Sequence, residues 1–214
     1  VVGVGDVHGD LDAARKVLRK IGATDDEDRW IGGDLVVVQT GDQLDRGDGE
    51  RAILDLYARL EEEAHAAGGE FYVLLGNHEV MNVELDYRYV TSGGWDDFAD
   101  VEHDTTDPFY DDWPEAQRGR VAAFRPGGQY ALMLADRNIT MVVNDTVFVH
   151  GGILPDHVDH GLEKINRETR KWMKGQTAYP AILSGDDSPI WSRHYSDEPS
   201  GDDCDLLGEA LADL

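Results

Sequence analysis

Cysteine is nearly missing from this chain. The single one, Cys204 in 201-GDDCDL-206, excludes an internal disulfide and reads as an ordinary small residue near a helix start. Lysine is scarce as well: five of the 19 basic residues, set against 44 acidic ones. The net charge of -25 and the pI near 4.4 argue against nucleic acid or an anionic membrane as a partner, because a surface so acidic repels both. The same charge attracts divalent cations. Two origins fit it, adaptation to high salt or a GC-rich genome that favours Arg and Asp over Lys. No stretch reaches the length of a membrane span, and no basic-then-apolar leader opens the chain. That favours the cytoplasm, with a leader upstream of Val1 left open. Methionine is absent from the start, which falls in the apolar run Val1, Val2 and Val4, and 206-LLGEALADL-214 reads as an unfinished helix. Both suggest a fragment, one 214-residue catalytic domain incomplete at its C-terminus.

Hydrophobic periodicity supplies the organisation. Val1 to Gly5 reads as a strand entering a loop. In 11-LDAARKVLRKIG-22, Leu11, Ala14, Leu18 and Ile21 share a helical face. The run 35-LVVVQT-40 is continuous and β-branched, as in a strand buried on both faces. A long helix spans 50-ERAILDLYARLEEEAHAAGG-69, with Ile53, Leu54, Tyr57 and Leu60 on one side, and 71-FYVLL-75 is a further strand. This β-α-β-α-β order implies an α/β protein with a parallel sheet, whose ligands bind beyond the carboxyl ends of the strands. Residues 91–137 break the rhythm and read as an irregular, partly helical cap whose aromatics (Trp95, Phe98, Phe109, Tyr110, Trp113) pack a core. The segments 139-ITMVV-143 and 146-TVFVH-150 read as a hairpin, a helix follows around Leu162 to Met173, and 189-PIWSR-193 is strand-like.

Four strand ends close in polar clusters: 5-GDVHG-9, 41-GDQLDRG-47, 76-GNHE-79 and 150-HGG-152. Asp6 and His8, two residues apart, can converge on one ion, and a carboxylate with an imidazole suits Mn, Fe or Zn better than Ca or Mg. Asp42 sits at the equivalent place on the next strand and could bridge two ions. Asn77 offers a neutral oxygen and His150 another nitrogen. Two divalent ions carry four positive charges, Asp6 and Asp42 remove two, and a phosphate monoester dianion would neutralise the rest. The leaving oxygen needs a proton, for which His78 is the candidate acid, with Asp45 holding its other ring nitrogen. Arg46 presents a planar fork suited to phosphate oxygens. Glu79 reads as a helix-start residue.

These motifs, in this order, resemble the metallophosphoesterases of the phosphoprotein phosphatase family. The longer 76-GNHEVMNVELDYRYV-90 is similar to the Shewanella-like, bacterial-type branch. The resemblance implies paired β-sheets flanked by helices, an α/β/β/α sandwich, and two metals, manganese or iron/zinc. It implies Asp6, His8 and Asp42 at the first metal, and Asn77 and His150 with the bridging Asp42 at the second. His78 with Asp45 would be the acid pair, and Arg46 and Arg193 would bind phosphate. A further Gly-His ligand of the family does not follow Arg193. His194 is a poor substitute, and His157 and His160 read as surface residues of a loop. The implied activity is a phosphomonoesterase, a protein serine/threonine phosphatase. A dinucleoside polyphosphate or small-molecule phosphoesterase, and a non-catalytic binding protein on the same fold, are the alternatives. Phosphotyrosine preference stays open.

Overall fold

The computed structural model describes residues 1–212 and 214. Strands β1 (Val2–Val4), β2 (Val36–Gln39) and β3 (Glu70–Val73) pair in parallel in that order. Val2 lies opposite Val37, and Val37 opposite Phe71. Parallel neighbours need crossovers, which helices α1 (Leu11–Lys20) and α2 (Glu50–Ala66) provide. The Asp10 carboxylate caps α1 by accepting the Ala13 N–H. Ala14 and Leu18 of α1 meet Ile53, Tyr57 and Leu60 of α2 over Val4, Val37 and Phe71 in one core.

A second sheet is the antiparallel hairpin of β4 (Thr140–Val143) and β5 (Thr146–Val149). Two sheets rather than one are what the resemblance implies. They are joined where the Leu75 N–H donates to the Asn138 carbonyl at 2.9 Å. They also meet where β1 at Gly3 approaches Phe148 of β5. The helices α7 (Pro155–His160) and α8 (Leu162–Met173) follow β5. On α8, Asn166 accepts the Ile139 and Thr140 N–H groups and donates to the Thr140 carbonyl, fastening helix to strand. A second core of Leu44, Leu54, Leu75, Val80, Ile139, Ile165 and Ile190 lies beneath the strand ends.

After α3 (Asn77–Val83) come α4 (Ser92–Asp96), α5 (Arg118–Phe124) and α6 (Gln129–Leu134), with 3-10 turns at Pro108–Tyr110 and Glu115–Gln117. Phe98 joins the second core, while Trp95, Tyr110 and Trp113 pack around Tyr87. Of the five aromatics expected to pack there, Phe109 alone is exposed. The last helix, α9 (Gly201–Ala212), carries Cys204 exposed on its surface. Among the described residues, no helix is long and apolar enough to cross a membrane.

Two expectations are corrected. Residues 189–193 form turns, not a strand. The Ser192 N–H donates to the Ser188 carbonyl, and the Pro189 carbonyl accepts from Gly151 and Gly152, so no ladder partner remains. His157 is buried rather than a surface loop residue: it lies in α7, and its Nδ1 accepts the Leu154 N–H at 3.0 Å, closing the helix start. Burial holds its pKa below the ordinary value. His160 ends the same helix rather than lying in a loop; it is partly exposed and bonds Glu168 at 2.8 Å.

Leu60 is fully buried between α2 and the first sheet. Leu60→Ala should lower unfolding free energy by about 2–5 kcal/mol in urea titration, and an unchanged midpoint would remove it from that core.

Candidate active site

The first three strands end side by side, so the loops that follow them must share little space. The Val7 and His8 N–H groups donate to the Asp42 carbonyl at 3.1 and 3.0 Å, and the Gly9 N–H donates to Gln43 at 2.8 Å. A Cβ on Gly47 would lie 2.4 Å from the His8 carbonyl oxygen, so only glycine allows this backbone contact. Four non-glycine residues in these loops take positive φ: His8, Asp42, Asp45 and Arg46. Such conformations cost free energy and persist where surrounding bonds enforce them.

Glu79 does the enforcing. Its side chain is fully buried, one Oε accepting the Asp42 and Gly76 N–H groups at 2.7 and 2.8 Å, the other those of Gln43 and Leu44 at 2.8 and 3.1 Å. It is a helix-start residue, as its place three positions after Gly76 suggests. Its larger role is to bind the loop after β2 to the loop after β3. Burial and the Asp42 charge push its pKa up, and the backbone donors pull it down.

Asp42 occupies the centre. Its Oδ1 accepts the His78 N–H at 3.0 Å, a seat available because residue 76 has no side chain: a Cβ there would fall 2.2 Å from that oxygen. Its Oδ2 faces three imidazole nitrogens, His150 Nε2 at 3.4 Å, His8 Nε2 at 3.6 Å and His78 Nε2 at 3.8 Å. These gaps are too long for hydrogen bonds. The shortest falls within the roughly 3.0–3.5 Å edge between ligands bound at ~2.0–2.2 Å around one ion, and the other two lie just beyond it. Asp6, half-exposed, stands 3.7 Å from His8 Nε2 and 3.8 Å from His150 Nδ1. Asn77 Oδ1 lies 2.8 Å from His150 Nε2.

The histidine tautomers follow from their partners. The Nδ1 of His8 faces the Leu44 carbonyl and that of His150 the Thr40 carbonyl, each at 3.0 Å. A carbonyl only accepts, so each Nδ1 carries a proton; the His8 Nε2 then turns a lone pair inward, while the His150 Nε2 faces the Asn77 Oδ1, an acceptor with which it could share a cation. Burial keeps the His150 pKa low, against Asp6 and Glu79, which suits a neutral ligand. His78 differs. Burial opposes its charging, but the Asp45 hydrogen bond and the charges of Asp42, Asp45 and Glu79 outweigh it and raise the pKa. Its Nδ1 donates to Asp45 Oδ2 at 2.6 Å. Asp42 is raised by burial, which His78 counters and Asp6 reinforces.

The structure thus brings Asp6, His8, Asp42, Asn77, His78 and His150 together, with Asp45 behind His78. Arg46 is exposed at the rim, its Nη1 3.4 Å from His8 Nε2 and its guanidinium over Tyr89. It pairs with neither Asp45 nor Asp48 among the described ion pairs, which leaves its fork available to a ligand. Arg193 is exposed, and its charge reaches His150. His194 points elsewhere, bonding Asp187 and Asp203 at 2.9 and 3.0 Å. Sequence reasoning missed the buried supports Glu50, Asn82, Arg120 and Arg137. Only Asn82 carried a signal, as part of the Met-Asn that marks the branch.

A parallel sheet whose strand ends gather carboxylates and imidazoles around one aspartate is the architecture of a metallophosphoesterase. Residues 1–210 match the calcineurin-like phosphoesterase family, and the chain belongs to it. That family implies divalent metal ions, and His8, Asp42 and His78, or Asp6, Asp42 and His150, form groups able to hold one. Among curated proteins, the chain is 39% identical over its whole length to Shewanella-like protein phosphatase 2 of Arabidopsis thaliana, covering 63% of that protein. It is 28% identical to Shewanella-like protein phosphatase 1 of Plasmodium berghei, over 79% of this chain and 43% of that one. Among solved structures it resembles a cold-active protein-tyrosine phosphatase of a psychrophilic Shewanella species. There the TM-score is 0.76 at 27% identity, over 99% of this chain and 61% of the other. The chain therefore spans about three-fifths of the length of these Arabidopsis and Shewanella relatives.

Glu79→Gln would turn an N–H₂ donor toward two backbone donors. We expect a loss of about 1–3 kcal/mol in unfolding free energy, read by urea titration, and a lower bound-metal stoichiometry. Unchanged values in both would show that Glu79 does not hold the loops.

Proposed function

We propose that this chain carries the catalytic centre of a metal-dependent phosphomonoesterase acting on phosphorylated proteins, phosphoserine and phosphothreonine foremost. The carrying observation is the single Asp42 oxygen placed between His150 Nε2 at 3.4 Å and His8 Nε2 at 3.6 Å, where two ions could share it. Asp6, His8 and Asp42 would hold one ion, and Asn77, His150 and Asp42 a second, manganese first and iron or zinc otherwise. When bound, the ions supply Lewis-acid polarisation of the phosphoryl group and activation of a water. Arg46 at the rim binds phosphate oxygens, and Arg193 on the far side adds a second fork. As the new P–O bond forms and the ester P–O bond breaks, His78 gives its Nε2 proton to the leaving oxygen. Asp45, fixed on Nδ1, stabilises the imidazolium beforehand. We read 1–214 as one catalytic domain, with 91–137 as a cap beside the site. The 39% identity to a plant protein phosphatase supports the substrate class.

A second reading, phosphotyrosine, is favoured by one observation. Tyr89 is 40% exposed, and its ring lies 5.1 Å from that of His78, where a departing aryl group could stack. Turnover on matched phosphoserine, phosphothreonine and phosphotyrosine peptides separates the two.

Asp42→Asn should abolish metal-dependent hydrolysis of p-nitrophenyl phosphate, and full retention would refute the two-ion reading. His78→Asn should slow turnover by ~10²–10⁴-fold with bound metal unchanged, because it removes the proton donor alone. Metal loss in that variant would make His78 a ligand.

A further inference from the structure

We propose that Asn82 and Arg120 are positioning residues that hold Asp45 on His78, making 91–137 part of the proton-delivery apparatus. The proposal rests on the reading of His78 as the acid.

Asp45 has two carboxylate oxygens with separate duties. Oδ2 accepts from His78 Nδ1, and Oδ1 accepts from Asn82 Nδ2 at 3.1 Å. Rotation of the carboxylate would break both bonds, so the Asn82 amide acts as a stop. That amide could present either end to Asp45, and only its N–H₂ end is useful. Arg120 sets the choice: its Nε and Nη2 donate to Asn82 Oδ1 at 3.1 and 2.8 Å. The N–H₂ group is thereby turned to Asp45 and to the His78 carbonyl at 2.9 Å.

Arg120 is itself held on every side. It is fully buried on α5. Its Nη1 pairs with Glu50 Oε2 and donates to the Gly94 carbonyl at 2.7 Å, and its Nη2 donates to Glu50 Oε1 at 3.0 Å. All its N–H groups thus find acceptors, and the guanidinium lies 5.0 and 5.1 Å from the Phe124 and Phe98 rings. Glu50 also accepts the Asp45 N–H at 2.5 Å, so the arginine's own counter-ion grips the same residue from behind. Arg120 and Glu50 neutralise each other, and the Arg120 Nη2 also stands 3.4 Å from Asp45 Oδ1, on the Asn82 side of the carboxylate, so Oδ2 is kept for His78. A buried charge pair with every donor used serves to fix geometry more than to add stability. Lysine could not replace this arginine, because it lacks the planar fork.

A weaker grip on the acid hurts most where the leaving group needs its proton most. Phenyl phosphate needs it more than p-nitrophenyl phosphate, whose phenolate departs readily. The test measures kcat and KM for both substrates in wild type, His78→Asn, Asn82→Ala and the charge-neutral pair Arg120→Met with Glu50→Gln, which strands no buried carboxylate. In parallel, the metal-free, ¹⁵N-histidine-labelled proteins are examined for the downfield Nδ1–H resonance of His78.

Asn82→Ala and the double variant should each lose about tenfold more kcat on phenyl than on p-nitrophenyl phosphate, a part of the ~10²–10⁴-fold a general acid supplies, with KM little changed. The Nδ1–H resonance should shift upfield or broaden. If His78→Asn shows the leaving-group dependence and Asn82→Ala loses both substrates equally, or keeps the wild-type resonance, the positioning role is overturned and the acid stands. If His78→Asn itself shows no leaving-group dependence, the acid reading falls first. Should the double variant fail to fold, Asn82→Ala decides alone, since it leaves the Arg120–Glu50 pair intact.

Discussion

A carboxylate buried beyond the reach of water must find its hydrogen bonds inside the protein, and Glu79 finds them on the backbones of two loops. The bonds are charge-assisted, and they draw together segments 36 residues apart in the chain. Asp42 can sit in a left-handed conformation, with its carboxylate against the start of α3, because its own N–H is held. The adjoining loop after β1 is then clamped to the Asp42 and Gln43 carbonyls. Each candidate metal ligand at the first three strand ends inherits its position from this one group.

Electrostatics imposes a second constraint. The chain is strongly acidic overall, yet its two buried arginines each stand against carboxylates. Arg120 faces Glu50 and Asp45, while Arg137 donates to Gln43 at 2.9 Å and lies 3.9 Å from Glu61. Around Asp42 and Asp6 the neighbours are imidazoles instead: His8, His78 and His150 face Asp42 Oδ2, and His8 and His150 stand beside Asp6. Arginines therefore support the periphery of the site, and its centre is left with donors suited to cations. Support and chemistry are divided by residue type within a few ångströms.

The segment 91–137 acquires a different meaning from this arrangement. Its aromatics, with Tyr87 beside them, build a core around a guanidinium, so its composition reflects the burial of a charge as well as the shape of a surface. Cation–ring contacts and complete hydrogen bonding make that burial tolerable. The Met-Asn after the GNHE motif, at first a mark of kinship, lies where this segment meets the acid pair.

By itself the amino-acid sequence determined the order of elements, the parallel first sheet, the hairpin and the strand-end residues that gather at the site. Those are consequences of local periodicity and of one topological rule about where ligands bind in such sheets. It misread 189–193, where an apolar run is used for turns, and His157, whose ring closes a helix start. Only the tertiary structure decided the roles of Glu79, Asn82, Glu50 and Arg120. Each has a partner 35 to 75 positions away, and no periodicity carries information across such distances. Which buried charge meets which backbone group is settled when loops from separate strands close on each other, and that event has no local signature.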